Sequence, residues 1–420
     1  MPQNSRSSGY ARLTPGQARL VLLALLWVTV FCAAVTLSPL AQGRVGKPAR
    51  GEGDVALYRA EVDRIHAGQG YYQAAAAELL ARSYTTRSVF NWRLPLPIWL
   101  IGRMPVAGTA SQEWSLGKVL LGLLAAAVIL TAYEALGREG SVWRALGCGV
   151  LLTGPLMLCV LGDIFVMPVL WAGVLITLSI STYGLNRPAW GTVIGLSAAF
   201  CSELALPYCG LCAALAWWHH RRRELAAWAV GLAAWLVYFG LHWVQVAELI
   251  TPDALAHRDG WIQFGGASFV LSTVQMNPYL LLLPQWVAAL YFAAAMFGFA
   301  GWHTPLGQRA GLTAALFVAA LGVVGQEFNQ YWGTLSAPLL CFGFVRFPQS
   351  LRDLWRAASL TRTVHKGATA VSAVLPWANA KTWSTADTAV APDKRLDNGP
   401  MNDSGVTGGK PAATAPSGTP

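Results

Sequence analysis

The sequence predicts an all-α, polytopic transmembrane helix bundle of about ten spans, with a large first outer loop that contains surface helices. Three observations predict it. Only 12% of the residues are charged and 55% are hydrophobic, whereas soluble domains carry roughly a quarter charged residues. The apolar residues fall in long unbroken blocks, and a backbone in lipid satisfies its polar groups only as a helix or a closed barrel. Barrel strands alternate apolar and polar residues, and these blocks do not.

The first apolar run covers 20–40 and follows a cytoplasmic N-terminus, 1–19, that carries Arg6, Arg12 and Arg19. It is long enough to cross a hydrocarbon core of about 30 Å. Pro39 stands where signal-peptide cleavage favours a small residue, so the run is expected to remain as a signal anchor. The later runs are 114–135, 145–161, 164–183, 190–201, 206–218, 225–246, 279–302, 311–324 and 335–344, which gives a transmembrane domain over 20–346. The pair 190–201 and 206–218 is short, and equally fits one helix interrupted at Glu203 and Pro207.

Alternation from a cytoplasmic N-terminus puts Arg138, Arg144, Arg187, Arg221, Arg222, Arg223, Arg309 and Arg346 inside, as the positive-inside rule requires. The net charge of +10 therefore reads as membrane anchoring, not as a nucleic-acid signal. The exception is the outer loop, 41–113, where Arg44, Lys47, Arg50, Arg59, Arg64, Arg82, Arg87 and Arg93 oppose the trend. Such an excess suggests other work. The seven cysteines lie in apolar stretches and suggest neither zinc nor disulfides, and Cys209-Gly-Leu-Cys212 lacks the strand pattern of a redox motif. The tail, 347–420, is expected to be cytoplasmic, and from about Thr361 its Ala, Thr, Ser, Pro and Gly composition predicts disorder.

The same alternation gathers Asp54, Glu61, Asp63, Asp163, Glu203, Asp253, Asp259 and Glu327 on the outer side. In the loop, 55–65 and 73–81 have amphipathic helical spacing, and the short apolar stretch 98–101 suits an interfacial or re-entrant piece. Asp54, after Gly51-Glu52-Gly53, is placed either to cap a helix or to act as a general base toward an acceptor hydroxyl. Arg87 and Arg93, beside Tyr84 and Trp92, offer bidentate forks for phosphate or sites for anionic lipid. Glu203 lies within an apolar pair, where a carboxylate is expensive. Asp163 suits a helix cap, and His242 suits either a proton carrier or interfacial packing. The stretch Glu327-Phe328-Asn329-Gln330-Tyr331-Trp332 mixes carboxylate, amide and aromatic groups, as a sugar-binding surface does, or as a plain interfacial turn does.

One span, an acidic residue early in a large outer loop, surface helices, and Arg93-Leu94-Pro95 ahead of the second span together resemble the GT-C superfamily of integral membrane glycosyltransferases. The resemblance covers 20–346 by architecture. It implies a polyprenyl-phosphate sugar as donor substrate, Asp54 as the catalytic acid-loop residue, and Arg93 with Pro95 as the segment that closes the loop. Arg87, Arg93, Glu203, Glu327, Asn329 and Tyr331 are then the expected substrate-binding residues. A single loop aspartate in place of an acidic pair leaves metal dependence open; a divalent metal is compatible, with Glu52 or Asp63 as a second carboxylate. The expected partners are membrane lipids, the lipid-linked donor, and a glycan, lipid or protein acceptor. The expected location is the bacterial inner membrane, with both termini cytoplasmic. The rivals are a transporter or flippase, a glycan polymerase or ligase, and a membrane protein without catalysis. A transporter would carry mid-span charges in repeat-related pairs, and no convincing repeat is present.

Overall fold

A computed structural model describes residues 7–37, 53–107, 114–256, 264–325 and 327–359. The chain divides into two units, Met1–Arg362 and Thr363–Pro420. The second unit, and with it the predicted disordered tail, lies outside the described residues.

The described part is helical apart from one two-residue antiparallel ladder, Val106–Ala107 with Trp114–Ser115. Five helices are long and apolar enough to cross a membrane: α1 (Pro15–Leu37), α5 (Leu116–Arg138), α6 with the 3-10 turn that extends it (Val142–Cys159), α10 (Arg222–Ala247) and α14 (Pro305–Val323). The chain is an integral membrane protein on this ground. Shorter apolar helices are α7 (Pro168–Gly184), α8 (Pro188–Cys201) and α13 (Gln285–Ala300). Length and composition therefore support five spans among the described residues, where the sequence predicts about ten.

The ends of these helices follow from local chemistry. Prolines open α7, α8 and α14 in the first turn, where a missing N–H leaves no bond unmade. Between α8 and α9 (Leu206–Trp218) the chain breaks at Ser202, whose extended backbone and side chain, accepting from Leu204 N, start the 3-10 turn Glu203–Ala205. The segment is thus two helices, with Pro207 in the first turn of α9.

Helix α7 buries every residue from Pro168 to Thr182. A helix apolar on all sides belongs at the centre of a bundle, and α7 packs against α8, α5 and α14. By contrast α1 and α10 show Leu23, Leu26, Trp27, Leu236, Val237 and Leu241 outward, a lipid-facing surface. Helices α13 and α15 (Ala337–Ser359) cross closely, since a Cβ on Gly298 would lie 1.9 Å from the Gly343 carbonyl oxygen. Small residues at such crossings let backbones approach where no hydrophobic force drives helices together. Helix α15 runs to Ser359, so the break expected after 346 falls inside a helix.

The loop before α5 folds as α2 (Gly53–His66), α3 (Tyr71–Ala81), a 3-10 turn at Val89–Asn91, and α4 (Pro95–Arg103). Leu57, Tyr58, Ile65, Tyr71, Leu79 and Ile98 join the main core, so the loop is packed onto the bundle. Most of its arginines among the described residues are paired. Arg59 meets Asp163 at 2.9 Å, and Arg64 and Arg82 both meet Glu78, at 2.5 and 3.1 Å. Local carboxylates thus neutralise charge that runs against the positive-inside trend. Asp163 makes no cap bond and serves as this ion-pair partner instead.

Candidate functional site

Arg93 lies just before α4, where Pro95 fixes the start of the helix and aims the preceding residues back across α2. Its guanidinium is held at three points. Nε donates to the Tyr58 hydroxyl at 2.8 Å, Nη2 to the Tyr331 hydroxyl at 3.0 Å, and Nη1 to Glu203 Oε1 at 3.4 Å. The Tyr71 hydroxyl donates to the Arg93 carbonyl at 2.5 Å and fixes its backbone. Four stretches far apart in sequence therefore meet on one cation. Burial disfavours the charge on Arg93, but the oxygens of Tyr331 and Tyr58 and the Glu203 carboxylate outweigh it and hold its pKa above the usual arginine range. A guanidinium carries five N–H groups; the three bonds named leave two for an anion.

Asp54 occupies the first turn of α2, where a negative charge suits the helix N-terminus. It accepts from the Tyr84 hydroxyl at 3.0 Å. Burial first, and then the Asp54 carboxylate, push the Tyr84 pKa upward, so the phenol stays a donor. Tyr331 is pushed upward as well, by burial and by Asp54, against the lowering effect of Arg93. Tyr331 thus bonds Arg93 and lies close to Asp54.

Tyr331 sits in the 3-10 stretch Glu327–Leu335, which packs on α7. A Cβ on Gly173 of α7 would lie 2.2 Å from the Thr334 carbonyl oxygen. Only glycine there lets the turn seat this deeply.

An apolar cavity of about 170 Å³ lies beside the cluster, lined by Val55, Met167, Leu170, Met276, Pro278 and Tyr331, among others. Gln275 is at its wall, while Asn277 accepts from Tyr279 N and caps the next turn. Asn329 is 1% exposed, and neither polar atom of its carboxamide has a hydrogen-bond partner among the described residues. Leaving a buried polar group unsatisfied costs about 1–3 kcal/mol, which makes the Asn329 carboxamide a candidate binding group.

Of the residues singled out in the sequence, Asp54, Arg93, Glu203 and Tyr331 come together. Asn329 is on the same turn as Tyr331. Arg87 is exposed; its backbone N–H donates to the Leu255 carbonyl, and its side chain stands outside the network. Glu327 opens the 3-10 stretch, but its side chain lies outside the described residues. So does Glu52, one of the two proposed second carboxylates. His242 is buried between the Tyr72 hydroxyl, at 3.2 Å, and the Trp92 carbonyl oxygen, at 3.3 Å, a packing role.

Three residues of the site were not anticipated. Tyr58 and Glu61 follow Asp54 on α2 at i+4 and i+7, the spacing of one helical face. Tyr84, in the sequence only a neighbour of Arg87, is the donor to Asp54. Glu61 is 2% exposed, and burial, followed by the nearby Glu78, raises its carboxyl to about 8, so it is largely protonated at neutral pH. Asp63, the other proposed second carboxylate, points elsewhere and pairs with Arg59 at 3.5 Å.

Among the described residues, no three of His, Cys, Asp and Glu are grouped as metal ligands. No family model, no curated protein and no solved structure matches the chain.

Proposed function

We propose that the chain is a membrane glycosyltransferase that moves a sugar from a polyprenyl-phosphate donor to an acceptor hydroxyl on the extracytoplasmic face. The observation that carries this reading is a three-point-held guanidinium, Arg93, bonded to Tyr331 beside an apolar cavity, with a half-buried carboxylate, Asp54, close enough to act on Tyr331. A base, an anion holder and a greasy wall are what a lipid-phosphate sugar requires.

In this scheme Asp54 takes the proton of the acceptor hydroxyl as its oxygen attacks the sugar's anomeric carbon. The bond from that carbon to the phosphate oxygen breaks, and polyprenyl phosphate leaves with the electron pair. The remaining N–H groups of Arg93 meet the charge that develops on the phosphate, where preorganised donors act best. Tyr84 orients Asp54, Glu203 holds Arg93, and the Asn329 carboxamide contacts sugar hydroxyls. The apolar cavity takes the first isoprene units. The topology that fits is the ten-span one: the five long helices with α7, α8, α9, α13 and α15, both termini cytoplasmic, in a bacterial inner membrane. The resemblance to the GT-C superfamily points the same way.

The transporter alternative draws on one observation, the buried pair of Arg309 and Glu224 at 3.4 Å, with Arg309 stacked 3.6 Å over the Tyr183 ring. That pair is enclosed and satisfied, which suits a structural lock better than a pathway. Profiling of lipid-linked sugars and glycans in a deletion strain separates the two. Loss of one glycan linkage with accumulation of the prenyl-phosphate sugar on the outer leaflet supports transfer. Accumulation confined to the cytoplasmic leaflet overturns it in favour of transport.

A further inference from the structure

Helix α15 changes character along its length. From Ala337 to Gly343 every residue is buried. Beyond Pro348 it becomes amphipathic: Ser350, Leu354, Ala357 and Ala358 face the protein, while Arg352, Trp355 and Arg356 are exposed. The exposed stripe borders a groove of about 450 Å³ against α1, lined by Leu22, Pro348, Leu351, Arg352, Trp355 and Arg356.

Two features of this groove ask for a ligand. Arg352 and Arg356 are four residues apart on one helix, where like charges repel. Among the described residues neither has a carboxylate partner; the neighbouring Asp353 turns away and accepts from Ser8 N at 2.7 Å. Arg19 of α1 adds a third positive charge at the rim, its Nε donating to the Ala358 carbonyl oxygen at 3.3 Å. The walls, however, are aliphatic, and α1 carries its exposed Leu23, Leu26 and Trp27 onward from Leu22. Cations above and hydrocarbon below match one occupant.

We propose that this groove binds an anionic phospholipid, its phosphate between Arg352 and Arg356 and one acyl chain along Leu22 and Leu351. The Trp355 indole, 65% exposed, then sits at headgroup level, where aromatic rings favour the interface. The location agrees. The groove lies near the N-terminal end of α1, a helix long and apolar enough to cross a membrane, since Leu22 lines it and Arg19 Nε meets the Ala358 carbonyl oxygen. It is independent of the transferase proposal and of the chemistry at Asp54.

The test is native mass spectrometry of the full chain in detergent, titrated with dioleoylphosphatidylglycerol or dioleoylphosphatidylcholine. One phosphatidylglycerol is expected to be retained with about 25-fold preference, roughly fivefold for each guanidinium at an anionic surface. In R352Q/R356Q the preference should vanish, while R222Q/R223Q, which removes two exposed arginines elsewhere, should keep it. Equal loss in both double variants would mean diffuse charge and overturn the site. If R352Q/R356Q does not fold, the wild-type chain still decides: the preference must fall as salt is raised, and no preference, or one indifferent to salt, overturns the proposal.

Discussion

The Nη2 of Arg93 donates to the hydroxyl of Tyr331 at 3.0 Å, across 238 residues of sequence. That bond ties the outer loop to the turn before the last described helix. It also brings a cation to the same phenol that Asp54 approaches. Removing it tests whether Arg93 binds substrate or only ties the fold together. In R93K the charge survives but the fork is lost, so donor KM is expected to rise at least tenfold, with a smaller loss of thermal stability than in R93Q. R93Q leaves the part-buried Glu203 without its cation, so the melting temperature of that variant should fall below that of R93K. A thermal melt of both variants beside donor titrations separates binding from scaffolding; equal donor KM in R93K and wild type would leave Arg93 a structural tie.

Tyr84 acts on Asp54 alone among the bonds named here, through one hydrogen bond of 3.0 Å. Hydrogen bonds to charged groups are worth about 1.5–3 kcal/mol. Y84F is accordingly expected to lower kcat by roughly tenfold to a hundredfold and to leave donor KM near wild type. A change confined to KM would place Tyr84 in binding, against this assignment.

Glu61 gives a pH signature. Its folded pKa, about 8, lies above the ordinary 4.5, so the folded state holds its proton where the unfolded chain has lost it. The stability this contributes is complete below 4.5 and is lost as pH rises to about 8. The melting temperature of the wild type should fall across that window, and E61Q should flatten the fall. Parallel melting curves for the two proteins would mean Glu61 is ionised in the folded state.

Gly173 tests how the turn is seated. A methyl there meets the Thr334 carbonyl oxygen at 2.2 Å, so α7 and the turn must separate. Overpacking of this kind typically costs about 1–3 kcal/mol. G173A is expected to lower the melting temperature and to reduce activity further than stability alone explains, because Tyr331 moves with the turn. Wild-type activity in G173A would detach Tyr331 from the site.

Much of this was legible in the sequence because membrane helices announce themselves. Most predicted runs coincide with a helix, because lipid demands the unbroken apolar stretch that reveals it. The run 279–302, however, is broken between Leu281 and Gln285, and 335–344 covers only the start of the helix Ala337–Ser359. The span count was less legible. Helix α7 has only 17 residues and is wrapped by protein, and protein-lined helices need not match the bilayer. At the site, Asp54, Arg93, Glu203 and Tyr331 were readable because charge and aromatic groups are rare in such a chain. Their meeting was not, since it depends on how α2, α8 and the 327–335 turn pack. Arg87 looked equivalent to Arg93 by composition. The difference is Pro95, which turns Arg93 inward, while Arg87 precedes the Val89–Asn91 turn and stays exposed.

Asp54 is the residue on which the proposed transfer chemistry depends. The deciding measurement is sugar transfer by D54N in proteoliposomes supplied with a prenyl-phosphate sugar and acceptor, alongside its melting temperature and donor binding. Transfer reduced at least a thousandfold, with folding and donor binding intact, is the expected result for a lost general base. Transfer at the wild-type rate would contradict the catalytic assignment.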